Sequence, residues 1–166
     1  MNRRRTLALL SALPVMAALP AHAKHWTDIP ARLAATPNLS TMTRALEASG
    51  LMAGLLAYQD GVAYTLFAPT NAAFDALPRG TLENLLRPEN RGALENVLRT
   101  HLVLARVNST SFVGRRVRLQ MSNGVMIGID GTRSPVVVNG NAKILALDDE
   151  GRNGVIHVID RVILTS

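Results

Sequence analysis

Three groups of side chains in this sequence have the type and spacing for chemistry: the histidines, a run of three acids and a cluster of arginines. Of four histidines, His22 and His25 fall near the N-terminus, leaving His101 and His157 inside the region patterned like a fold. A zinc site takes three protein ligands or four. Two histidines far apart in sequence, with no carboxylate motif beside them, do not supply that set. Both are expected to be structural, satisfied by hydrogen bonds, with no metal held. Asp148-Asp149-Glu150 precede Gly151. They read either as an acidic loop facing a cation or receptor, or as a solvated turn between strands. They lack the glycine and ligand spacing of a calcium loop. Arg115, Arg116 and Arg118, with Arg106 as a further member, form the densest basic patch. Such a patch meets acidic polysaccharide or anionic lipid head groups, or it keeps an outward strand face soluble and guards a sheet edge.

Catalysis has no comparable signature. There is no Gly-x-Ser-x-Gly elbow, no glycine-rich phosphate loop and no His-Glu-x-x-His. The absence of cysteine removes thiol nucleophiles, thiolate metal sites and disulfides. The paired carboxylates belong to a turn expected to be too exposed to shift their pKa values usefully. The chain therefore reads as a non-enzyme without a cofactor. Asn38-Leu39-Ser40 and Asn108-Ser109-Thr110 fit the glycosylation pattern. Neither is expected to be used, because the leader looks bacterial in composition.

That leader is residues 1–23. Arg3, Arg4 and Arg5 form a positive start, Thr6 to Pro20 is apolar, and Ala21-His22-Ala23 places small residues where a signal peptidase reads. The apolar stretch is shorter than a spanning helix and is interrupted by Pro14 and Pro20. Cleavage after Ala23 is expected, by the general or the twin-arginine route, with no transmembrane segment left and a periplasmic or extracellular destination. The three arginines account for half of the net +6. Without them the charge no longer supports a nucleic-acid partner, and 4% aromatic residues are too few for a base-stacking platform. Residues 24–166 are expected to form one domain, long enough to hold a core without disulfides.

The elements that must position these groups change character near residue 108. Before it, helical spacing dominates. Leu39-Ser40-Thr41 offers hydroxyl caps to a helix carrying Met42, Ala45 and Leu46, and Gly50 closes it. A second helix is expected over Leu51 to Tyr58, then a turn at Asp60-Gly61 and a buried strand at Tyr64 to Phe67. Thr81 is expected to cap a helix with Leu82, Leu85 and Leu86, which Pro88 stops. Ala93, Leu94, Val97 and Leu98 mark one face of another, running toward His101. After residue 113 the period becomes two. Val117, Leu119 and Met121 face one way and Arg116, Arg118 and Gln120 the other. Ser122-Asn123-Gly124 and Asn139-Gly140 mark hairpin turns, and Val155 to Ile159 is a late strand. Helices first and strands later predict an α+β domain, with an antiparallel sheet pairing back to the strand at Phe67.

Two segments are specific enough to place the chain. Thr65-Leu66-Phe67-Ala68-Pro69-Thr70-Asn71-Ala72-Ala73-Phe74, followed by Ala76-Leu77-Pro78, and Asn153-Gly154-Val155-Ile156-His157-Val158-Ile159-Asp160 resemble the two signature segments of the fasciclin domain, in order and separation. The resemblance covers about Trp26 to Leu164. It implies helices packed on a mostly antiparallel sheet or wedge sandwich, and a role in adhesion to cells, matrix or surface polymers. Adhesive animal members carry a tyrosine-histidine element linked with integrin binding at the position of His101; this chain has Thr100-His101 instead. Asp148 matches an aspartate common in the family and set in an adhesive loop of some animal members. The residues also have a physical reading. Pro69 ends a strand, Thr70 or Asn71 caps a helical turn that returns Phe74 to the core, Asn153-Gly154 turns the chain, and Asp160 accepts backbone hydrogen bonds.

The resulting expectation is a secreted, non-catalytic binding module whose partner is a cell-surface protein or an acidic polysaccharide. Its candidate contacts are Asp148, Asp149, Glu150, His101, Arg115, Arg116 and Arg118. The alternative is a carrier of an apolar small molecule, a lipid or carotenoid as the resemblance allows. Met42, Leu46, Leu51, Met52, Leu55 and Leu56 would line its pocket, methionine being adaptable enough to do so.

Overall fold

The computed structural model describes residues 27–54 and 61–165. The expected leader and the second half of the helix expected over Leu51 to Tyr58 lie outside them. The described chain runs α1 (Ile29–Ala34), α2 (Ser40–Ser49), α3 (Leu51–Gly54), β1 (Tyr64–Pro69), α4 (Asn71–Asp75), α5 (Thr81–Leu85), α6 (Arg91–Arg99), β2 (Leu102–Val103), β3 (Arg116–Gln120), β4 (Met126–Asp130), β5 (Val137–Val138), β6 (Ala142–Gly151) and β7 (Gly154–Ile159).

Helix α2 buries Met42, Ala45 and Leu46 on one face and ends at Gly50, whose φ of 81° is left-handed, as a C-terminal glycine should be. Its start differs from expectation. Ser40 is already helical, and no local hydroxyl caps the helix. The side-chain oxygen of Asn71, at the head of α4, accepts from the Thr41 amide at 2.9 Å instead. Thr70 caps α4 itself, accepting from the Ala73 amide at 3.2 Å. In α5 the cap position belongs to Gly80, and Thr81 is the first helical residue. In α6 the buried stripe is Leu94 and Leu98, with Val97 half-buried. Ala93, expected on that face, is exposed, because the stripe repeats at four residues and Ala93 lies beside it.

The seven strands form one sheet in the order β2-β1-β7-β6-β5-β4-β3. Both expected hairpins are present, with Gly124 in one turn and left-handed Asn139 and Gly140 in the other. The expected antiparallel return to Phe67 is corrected: β1 and β7 run parallel, with Phe67 opposite His157. Parallel neighbours are covered on both faces, so they read as continuous apolar runs rather than alternating ones. All six residues of β1 are buried, and all but Val158 in β7. Leu66 and Ala68 face the helices and pack with Leu33, Met42, Leu46 and Leu98. Phe67 faces the opposite way, into a second core with Phe112, Ile127, Ile129, Val138 and Ile159. The sheet folds over to build that second core. Its register shifts between Ile144 and Ala146 and again before Asp149, irregularities that bend a strand. At the far end the Ser122 amide donates to the Leu102 carbonyl at 2.7 Å, joining the tail of β3 to β2.

Candidate functional site

The two histidines are inside the protein, at 1% and 0% exposure. His101 Nδ1 donates to the Val97 carbonyl at 2.8 Å, and Nε2 accepts from the Ile163 amide at 2.9 Å. His157 is wired in the opposite sense. Its Nε2 donates to the Val107 carbonyl at 2.8 Å, and its Nδ1 accepts from the Asp148 amide at 3.2 Å. An amide can only donate, so each ring is fixed as one neutral tautomer. Burial pushes the His101 pKa down to about 4, against the opposing pull of the Val97 carbonyl. Burial also lowers His157, opposed by the Val107 carbonyl and the charge of Asp148. His101, a candidate contact from sequence, is thus enclosed and offers no free nitrogen to a partner. Among the described residues no group of three or more His, Asp or Glu side chains is arranged to hold a metal ion.

The three acids are not a solvated turn. They form the end of β6, half-buried, and each is engaged within the fold. Asp148 sits at the irregularity with φ 54°, a left-handed conformation that aspartate tolerates better than most residues. One of its oxygens accepts from the Ser109 amide at 2.7 Å, and the other from the Ser109 hydroxyl. Asp149 is paired with Arg32 of α1. Glu150 Oε1 accepts from the Asn108 side-chain amide at 2.7 Å. The carboxylates fasten α1 and the turn at Ser109–Ser111 to the sheet.

The arginines separate. Arg106 donates to the carbonyls of Gly151 and Arg152, at 2.9 and 3.1 Å, and so belongs to the β6–β7 turn rather than to the basic patch. Arg115 is exposed just before β3. Arg116 and Arg118 stand on the outward face of β3, opposite Asp130 and Gly128 of β4. Asp130 pairs with Arg116 at 3.3 Å and with Arg133 at 3.2 Å. The Thr132 hydroxyl holds the Asp130 carboxyl below the usual range; desolvation, the next effect, opposes it, and Arg116 adds to the lowering. Arg116, Arg118, Gly128, Asp130, Val137 and Asn139 enclose an open groove of about 490 Å³. Lys143 extends the face, since it lies opposite Val137, which lies opposite Asp130. Strand alternation pointed to the two arginines. It could not reveal the groove, which depends on which residues of β4 and β5 come opposite them.

Sequence reasoning also missed a recess of about 450 Å³ beside β6, walled by Val136, Ile144 and the exposed side chains of Val113, Leu145 and Leu147. The residues expected to line a carrier pocket go elsewhere. Met42, Leu46 and Leu51 are buried in the helical core and Met52 packs against it. Leu55 and Leu56 lie outside the described residues.

Helices on one face of a folded-over sheet, with the acids and histidines engaged within the fold and a cationic face left outward, make an α+β domain. The fasciclin domain model matches residues 37–165, and the chain belongs to that family. It is similar to Protein sll1483 of Synechocystis sp., 37% identical over 131 residues that cover 79% of this chain and 69% of that protein. It is 33% identical over 131 residues to the cell surface glycolipoprotein MPB83 of Mycobacterium bovis, covering 77% of this chain and 56% of the relative. Among solved structures it resembles a FAS1 domain pair from the insect cell adhesion molecule Fasciclin I, with a TM-score of 0.73 and 19% identity. That match covers 84% of this chain and 51% of the other, and it shows the fold alone.

Proposed function

We propose that the chain is a non-catalytic binding module that works outside the cytoplasm, exported behind residues 1–23. On this reading it adheres to an anionic component of a cell surface or matrix through the outward face of β3 and β4. One observation carries the reading: Arg116, Arg118 and Lys143 stand on that face in register, where Asp130 pairs with Arg116 and Arg133. The acids and histidines that might have competed as contacts are engaged within the fold. One relative supplies context, a cell surface glycolipoprotein. No helix among the described residues is long and apolar enough to cross a membrane.

The test is binding to an immobilised acidic polysaccharide and to a neutral one, at low and at physiological salt. Exposed ion pairs contribute about 0.2–1 kcal/mol each, so Arg116→Ala with Arg118→Ala should weaken acidic binding roughly two- to thirtyfold and flatten its salt dependence. Arg115→Ala should matter less. Binding that is the same in the double variant removes the face from the proposal.

A further inference from the structure

Gly128 is an anomaly within the cationic face. Glycine inside a strand weakens it by roughly 0.5–1 kcal/mol relative to alanine, and it marks a place where a ligand or another backbone comes close. At Gly131 and Gly154 the reason lies within the fold: a Cβ there would meet backbone oxygens at 1.8 and 2.1 Å. At Gly128 a Cβ would meet nothing within 4 Å, and the backbone is not left-handed. Nothing within the fold requires glycine there. What its missing side chain creates is the floor of the groove between Arg118 and Asn139.

We propose that this groove is a subsite for one carboxylated sugar ring of an acidic polysaccharide, a refinement that rests on the anion-binding reading of the face. Arg116 and Arg118 are two residues apart on one strand face, about 6.6 Å along it. Arg116 is already oriented by Asp130, while Arg118 forms no ion pair with another described residue. Arg118 is therefore the guanidinium available to a carboxylate, which it can grip through two parallel hydrogen bonds. The Asp130 carboxylate and the Asn139 side-chain amide line the same groove. They suit ring hydroxyls, as acceptor and as donor. The bare Gly128 peptide and Val137 give the ring's C–H face a flat apolar seat. The volume lies within the range of small-ligand sites, about 300–1,000 Å³. Asp130 also sets the charge spacing of the ligand. A ring that carries several anions, as a polysulfated sugar does, meets repulsion there, whereas a ring with one carboxylate and several hydroxyls does not.

Filling the groove without altering charge separates this inference from simple attraction to the face. Gly128→Val places a residue suited to strands in open space, and Gly128→Ala is the milder version if valine perturbs the fold. Titration calorimetry with an oligogalacturonate, its carboxyl-reduced counterpart and dextran sulfate reads the result, with melting curves to confirm folding. The wild type should bind oligogalacturonate more tightly than either other probe. Gly128→Val should lose at least about tenfold in that affinity, with Gly128→Ala between, while weak salt-sensitive binding to dextran sulfate persists. A folded Gly128→Val that binds oligogalacturonate like the wild type overturns the subsite but leaves the cationic face standing. Unchanged binding by the Arg116→Ala, Arg118→Ala pair overturns both. Equal binding of the reduced sugar, or tighter binding of dextran sulfate, overturns the carboxylate assignment.

Discussion

His157 lies against Phe67 and Phe112, each ring centroid 5.4 Å away, with both nitrogens committed to main-chain groups of distant segments. A second proton on it would set an N–H against the Asp148 amide; on His101 it would set one against the Ile163 amide. The folded state therefore resists protonation. His101 titrates near 4 folded against 6.5 free. A depressed histidine leaves stability intact above about 6.5 and removes it as pH falls toward the folded value, by roughly 3 kcal/mol for this group. Denaturant melts between neutral pH and pH 4 should show that decline, and His157 adds to it in the same direction. His101→Gln should be less stable at neutral pH by about 1–3 kcal/mol yet lose less on acidification. A flat profile in the unaltered protein would contradict the neutral assignment. Gly154 makes a steric point. A Cβ there would lie 2.1 Å from the Tyr64 carbonyl oxygen and 2.6 Å from Ile29 Cδ1, so Gly154→Ala should cost about 1–3 kcal/mol or more in the same melts. At this scale the sequence was legible in part. A structural pair of histidines followed from their isolation. The partners of the acids did not, because Arg32 is 117 residues from Asp149, and Ser109 is 39 from Asp148.

Strand β6 shows how an element takes up what the sequence presents as a loop. Period-two patterning made β3 and β4 readable, and Asn139-Gly140 located the β5–β6 hairpin. The run from Leu145 to Glu150 has no clean alternation, because two register shifts interrupt its pairing with β7. Three successive acids also look like a turn until each has a partner. Asp148 holds the irregularity and the Ser109 turn together, which gives Asp148→Ala two costs: a left-handed alanine, roughly 1–2 kcal/mol, and an unsatisfied Ser109 amide, about 1–3 kcal/mol. Asp148→Asn keeps an acceptor and tolerates the backbone, so it should lose less. Hydrogen exchange should show faster loss of protection at Ser109–Ser111 in the alanine variant, with α2 unaffected. Uniform loosening across both would mean that Asp148 acts on the whole fold rather than on this junction. The parallel pairing of β1 was not legible: burial on both faces suits a parallel strand, but a short buried run fits an antiparallel core strand equally well.

For the whole molecule, β1 is the wall shared by two cores. Leu66→Ala empties space on the helical side and Phe67→Ala on the other, each costing about 2–5 kcal/mol. Both variants should still unfold in one transition, and separate melting of the halves would show that the wall does not couple them. The two segments that identify the family are the two sides of one parallel ladder, Tyr64 to Pro69 against Gly154 to Ile159. This is why the fold was recognisable at all: the signatures mark the joint rather than the surface, and the binding face on β3 and β4 lies in neither. That ladder also imposes a schedule on the ribosome's product. Phe67 can meet β2 once His101 to Val103 have been made, but its other edge stays open until His157, ninety positions later. At roughly 5–20 residues per second, the nascent chain waits about 5–18 seconds with that edge of β1 open. An open strand edge is a template for pairing with another chain, so that interval is when the growing chain most needs a chaperone.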